Sequence, residues 1–174
     1  MDGNDGADID AKIMASMDLL ASEDGVLRRN ARVALVAIGE RAIAPLSRAL
    51  STSRLRQLRW EAAKALEAIG SPLSIPSLVR ALTDRDRDVA WVAAEGLIKF
   101  KIAAWPALFR ALVKDGANSV SLRREAHHVL CAQKEAGFED LLPSLLKDLE
   151  ASGLRESAMV TAGRIYRRLS GKDT

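Results

Sequence analysis

Leu58-Arg59-Trp60-Glu61-Ala62-Ala63-Lys64-Ala65-Leu66-Glu67-Ala68-Ile69-Gly70 is the stretch that decides the fold. Its residues Ala62, Ala65, Leu66 and Ile69 recur at i, i+3, i+4 and i+7, which places them on one face of an α-helix. The closing glycine suits the left-handed conformation that stops a helix. Alanine at half of the core positions lets a neighbouring helix come close, so the face predicts helix-on-helix packing.

The stretch is not alone. Its opening Leu-Arg-x-x-Ala stands at Leu27-Arg28-Arg29-Asn30-Ala31 and at Leu58-Arg59-Trp60-Glu61-Ala62. A variant follows at Val89-Ala90-Trp91-Val92-Ala93, then Leu122-Arg123-Arg124-Glu125-Ala126 and Leu154-Arg155-Glu156-Ser157-Ala158. The offsets of 31, 31, 33 and 32 residues mark an array of short units. A second amphipathic segment follows each of the first four: Pro45–Leu50, Ser77–Leu82, Ala107–Leu112 and Ser144–Leu149. Pro45, Pro76, Pro106 and Pro143 fall in the opening turn of these second helices, where a missing N–H costs nothing. Asp24, Asp86 and Ser121 read as N-caps, and Gly39 and Gly70 as helix stops.

The array predicts a lone helix at about 9–21, four helix pairs and a last helix at about 154–169. Residues 8–169 then form one repeat domain, with 1–7 as a disordered tail and 170–174 as a C-terminal tail. The end helices are expected to cap the stack with a polar outer face, supplied at the far end by Arg164, Arg167 and Arg168.

Composition agrees with a packed chain. Of 174 residues 48% are hydrophobic and 28% charged, which suits a folded chain rather than a disordered one. Net charge is +3, and the first ten residues hold four aspartates and no base, so the rest stands near +7. That favours an acidic partner without forming the dense basic stripe of a dedicated nucleic-acid binder. The single cysteine, Cys131, allows no intrachain disulfide. No apolar run reaches the roughly 18 residues of a membrane span, and the acidic N-terminus does not read as a secretory signal. A cytoplasmic monomer without membrane contact is the expectation.

Leu58 through Gly70 and Pro76 through Leu82 resemble HEAT repeats of the short kind named after phycobilisome lyase subunits, whose pattern runs Asp-x-x-Val-Arg-x-x-Ala-Ala-x-Ala-Leu-x-x-Ile-Gly and then x-Pro-x-Leu-x-x-Ala-Leu. The resemblance covers about residues 9–169. It implies an all-α, right-handed α-solenoid of the armadillo/HEAT type, with about four helix pairs plus capping helices. It also implies a binding scaffold more than an enzyme, with lyase-like, chromophore-handling and DNA-repair relatives as alternatives. Three departures stand out: Ala90 for the usual Arg, Lys101 for the usual Gly, and Gln133-Lys134 for Ile-Gly.

Several side chains are candidates for function. Arg48, Arg80, Arg110 and Lys147 share one register of the second helices, about 200° from a core Leu and so directed outward. In HEAT-like stacks these helices line the concave face roughly 8–10 Å apart, so the four cations are expected to form a ladder for an acidic protein or peptide. Ordinary solvated charge is the plainer reading. The first-helix arginines Arg28, Arg59, Arg123 and Arg155 are read as structural, holding neighbouring repeats together. Trp60 and Trp91, in equivalent positions, are binding candidates or covers of the seam between repeats, and Trp105 is read as a similar cover.

Catalytic chemistry finds little support. Asp84, Asp86, Asp88 and Glu95 fit positions 1, 3, 5 and 12 of a calcium loop, but Val89 stands where that loop needs Gly, so capping explains the aspartates better. His127 and His128 are adjacent and diverge by about 100°. Cys131 shares a face with His128, yet a Cys between Leu130 and Ala132 is more often inert. No phosphate loop, dinucleotide fingerprint or serine elbow occurs. The chain therefore reads as a non-enzymatic scaffold with no cofactor and no metal. It would bind an acidic partner on its concave face, with nucleic acid as the weaker alternative.

Overall fold

The computed structural model describes residues 3–133, 135–150 and 156–171. Ten α-helices follow one another: α1 (Gly3–Leu19), α2 (Gly25–Ile38), α3 (Ile43–Thr52), α4 (Arg56–Ile69), α5 (Ile75–Ala81), α6 (Arg87–Phe100), α7 (Trp105–Asp115), α8 (Val120–Cys131), α9 (Leu142–Glu150) and α10 (Glu156–Leu169). No strand is formed among the described residues. Short 3-10 turns at Gly39–Ala42, Pro72–Ser74 and Lys101–Ala104 lead into α3, α5 and α7.

Two rows of helices make an α-solenoid. The first helices α2, α4, α6 and α8 pack in succession, and so do the second helices α3, α5 and α7. The core between the rows is aliphatic and small, as the repeats require. Ala62, Ala63, Ala65 and Leu66 of α4 are all fully buried, as are Ala93, Ala94 and Leu97 of α6. Gly96 makes this approach possible, since a Cβ there would stand 3.2 Å from Leu78 Cδ1 and 3.4 Å from Glu67 Cβ.

Position in the stack sets how much of each helix is buried. Central α6 buries seven residues around its circumference. Terminal α10 buries only Ala158, Ala162 and Ile165, a single stripe at i, i+4 and i+7.

The caps mostly follow the sequence. Asp24 accepts from the N–H groups of Val26 and Leu27, and Asp86 from those of Asp88 and Val89. At α8 the expectation fails by two residues: Ser119, not Ser121, accepts from Leu122 N–H at 3.1 Å. Starting one residue after Ser119 puts Leu122, Ala126 and Val129 inward. Gly70 ends α4 in the left-handed region. Gly39 takes φ 76°, ψ −135°, a conformation open to glycine, and Lys101 takes nearly the same one at φ 50°, ψ −138°.

The two ends also depart from the expectation. Helix α1 begins at Gly3, so residues 3–7 are helical and not a tail. Acidic residues suit a helix N-terminus, and Arg41 fixes this one by donating to Gly6 O at 3.2 Å and to Asp10 Oδ1 at 2.9 Å. At the other end, α10 does not continue the first-helix row. It packs along α7 and α9. Val113 of α7 lies 3.9 Å from where a Cβ of Gly163 would stand, and Met159 Sδ lies 2.8 Å from where one of Gly116 would stand. Small residues on both helices thus let α10 settle beside α7, where a fourth second helix was expected. Arg168 locks it there with a two-pronged pair to Asp140 at 2.7 and 3.0 Å, and a third bond to Gly137 O at 3.0 Å.

Candidate functional site

The first-helix arginines prove to be braces. Arg28 Nη1 donates to Ser22 O and Glu23 O, both at 2.8 Å. Arg59 Nη1 donates to Ser53 O and Arg54 O at 3.1 and 3.4 Å, and Arg123 Nη1 to Gly116 O and Ala117 O at 2.7 and 3.1 Å. Each guanidinium covers the carbonyls of the loop that precedes its helix. These groups would otherwise go unsatisfied as the chain turns. Arg155 lies outside the described residues.

Carboxylates one repeat on complete the braces. Buried Glu61 receives Arg28 Nε at 3.3 Å together with Arg32 and Gln57. Arg59 grips Asp84 with two bonds of 2.8 and 2.9 Å, and this pair is 4% and 8% exposed. Those bonds hold the Arg59 guanidinium more firmly ionised than usual, against the opposing effect of burial. The third repeat has no arginine at this position. Ala90 fills that position and is buried.

The aspartates of the calcium-like count are taken up in the same way. Arg56 donates Nε to Asp86 Oδ2 at 2.8 Å and its fork also reaches Asp88. Burial works against the Asp86 carboxylate, but the Val89 N–H and Arg56 outweigh it and hold its pKa below the ordinary value. Glu95 turns elsewhere, to His128 Nε2 at 2.7 Å.

Cys131 stands with His127 and not with His128: its Sγ is 3.4 Å from His127 Nε2. Desolvation and the charge of Glu150 push the thiol pKa up, the reverse of what a nucleophile needs.

Trp60 and Trp91 do come together. They line a cleft of about 430 Å³ on the seam of α4 and α6, with Arg56, Gln57, Lys64, Asp88 and Val92. Trp91 is 53% exposed, and Lys64 Nζ lies 5.9 Å from the Trp60 ring centroid. Trp105 is no seam cover. It is fully buried, edge-on to Phe109 and Phe138 at 5.5 and 5.1 Å. Its indole N–H donates to Gln133 Oε1, while Gln133 Nε2 donates to Ile98 O at 3.4 Å. The departure at Gln133 is therefore the partner of a buried tryptophan, a need that the distance of 28 residues concealed.

The second-helix cations are only partly the row expected. Arg48, Arg80 and Arg110 are exposed on three helices that pack in succession. Lys147 is exposed on α9, which packs on α8 and α10 and not along α7. With α10 in that place the row has three members, and Lys147 stands apart. Among the described residues neither Arg48 nor Arg110 meets a carboxylate. Arg80 Nη2 donates to Ser77 Oγ at 3.2 Å.

Residues 14–98 match the family model described as HEAT repeats. This segment of the chain is built of HEAT repeats. A comparison with curated proteins finds no match. The matched segment contains α2 to α5, the last turns of α1 and all but the end of α6. It therefore takes in Arg28, Arg59 and Asp84, whose bonds join one HEAT repeat to the next. No helix among the described residues is long and apolar enough to cross a membrane.

Proposed function

We propose that this HEAT-repeat chain is a non-enzymatic scaffold that grips an acidic partner protein on its second-helix face. HEAT repeats commonly serve as protein-interaction scaffolds. The observation that carries the reading is the row Arg48, Arg80 and Arg110, exposed on consecutive helices. The contrast with the other face supports it. There Arg28 and Arg56 are consumed by carboxylates of this chain. Arginines held to no carboxylate are available to one from outside.

The test is capture from native lysate by the wild-type chain beside the Arg48→Ala, Arg80→Ala, Arg110→Ala triple variant. The proposal expects a protein retained by the first and lost from the second, with helical content unchanged. Retention that ignores the three substitutions would refute it.

A further inference from the structure

The second-helix face contains a recess whose chemistry is narrower than general basicity. It lies between the C-terminal ends of α3 and α5, has a volume of about 430 Å³, and is lined by Arg54, Arg59, Arg80 and Arg85 against one carboxylate, Asp84. Asp84 is already spent: Arg59 holds both its oxygens, and the Asp86 N–H donates to Oδ1 at 2.8 Å. That leaves three arginines with no carboxylate partner. Arg85 uses one nitrogen on Arg54 O at 2.8 Å and Arg80 one on Ser77 Oγ at 3.2 Å. A guanidinium has five N–H donors, so each keeps donors free.

Two helix C-termini would ordinarily repel an anion. Here some of the carbonyls at these ends receive side-chain donors. Ser51 and Thr52 hydroxyls donate to Arg48 O at 3.0 and 2.9 Å, and Thr83 donates to Arg80 O at 3.0 Å. Arg59 covers Ser53 O and Arg54 O. These bonds reduce the opposition of the two helix ends to an anion.

We propose that this recess takes the phosphate monoester of a phosphorylated side chain on the partner protein, held by Arg54, Arg80 and Arg85. A carboxylate presents two oxygens and one charge, enough for one guanidinium fork. A phosphate monoester presents three acceptor oxygens and close to two charges, which matches a recess lined by three arginines without a carboxylate partner. The volume falls in the range of small-ligand clefts, with room for a phosphorylated side chain. A nucleic-acid backbone would ask for a track of phosphate sites, where this is one recess. The proposal rests on the second-helix face being the binding surface.

The test uses the full chain and three labelled Gly/Glu-rich peptides, identical but for a central serine, glutamate or phosphoserine, read by fluorescence anisotropy. The phosphopeptide is expected to bind about tenfold tighter than the glutamate peptide, the worth of about one added charge-assisted hydrogen bond. Arg54→Gln with Arg85→Gln should erase that difference and leave the weaker binding in place. Arg48→Ala with Arg110→Ala should weaken all three peptides alike. Equal affinity for the glutamate and phosphoserine peptides would overturn the phosphate assignment while leaving the acidic-partner reading intact. Binding of none would overturn both. Inorganic phosphate displacing the phosphopeptide as well as free O-phosphoserine peptide does would move the site from a protein side chain to free phosphate and overturn the proposal.

Discussion

Replacing Arg59 by alanine should be among the most damaging single changes at a charged residue of this stack. The guanidinium is 4% exposed and makes four bonds: two to Asp84 and one each to Ser53 O and Arg54 O. Its removal strands a carboxylate that is 8% exposed, with only the Asp86 N–H left to it at 2.8 Å. Breaking a buried pair by taking one partner costs about 3–5 kcal/mol, most of it the uncompensated charge. For a chain of this size each kcal/mol lowers Tm by about 2–4 °C, so a fall of about 6–20 °C is expected. Urea unfolding followed by circular dichroism would measure the loss directly. Asp84→Ala alone should also destabilise, and the double variant should be less damaged than the sum by about 1–3 kcal/mol, since the two groups act as one. Arg56→Ala, which breaks an exposed pair in the same repeat, is the control and should change little. A loss from Arg59→Ala no larger than that of Arg56→Ala, or strict additivity with Asp84→Ala, would refute the brace.

Other outcomes follow from single features. Lys101→Gly should stabilise the chain by about 1 kcal/mol, because a residue with a Cβ now sits at φ 50°; thermal unfolding would read it. Ser119→Ala should cost about 1 kcal/mol through the lost α8 cap, whereas Ser121→Ala should cost close to nothing. Trp105→Ala should cost about 3–5 kcal/mol and leave Gln133 without its donor, while exposed Trp91→Ala should stay within about 0.5 kcal/mol. The hydrogen bonds from Arg168 hold the Asp140 carboxyl below the usual carboxylate range. That contribution is therefore complete above the unfolded value of about 3.9 and lost as pH falls through the lower folded value. Hydrogen exchange in α10 should rise over that acid range in the wild type, and Asp140→Asn should show the faster exchange at every pH.

Much of the fold was legible because the repeat writes the same local physics several times. The Ala-Leu face of Leu58–Gly70, the second-helix prolines and the caps Asp24 and Asp86 are all decided within one turn or two of their own residues. The structural reading of Arg28, Arg59 and Arg123 was legible too, as a residue repeated in four of five units serves the stack. What escaped depends on residues far apart. Gln133 stands where the pattern asks for Ile, and only the packed core shows that it answers Trp105 N–H. The turn of α10 onto α7 depends on Gly116 and Gly163 meeting Met159 and Val113, pairs that no periodicity announces. That turn is why Lys147, in perfect register along the chain, does not stand beside Arg110. The recess at Arg54 and Arg85 was hidden for the same reason, since both lie in loops that the helical register does not reach.

The central claim is that partners meet the second-helix face. The most direct measurement places a photo-crosslinking residue at Ser51 of α3 or Val113 of α7, and as counterparts at Val33 of α2 or Trp91 of α6, all four exposed. Crosslinks to the captured partner from Ser51 and Val113 but not from Val33 and Trp91 are the predicted result. Crosslinks confined to Val33 and Trp91 would contradict the account and move the binding surface to the first-helix face.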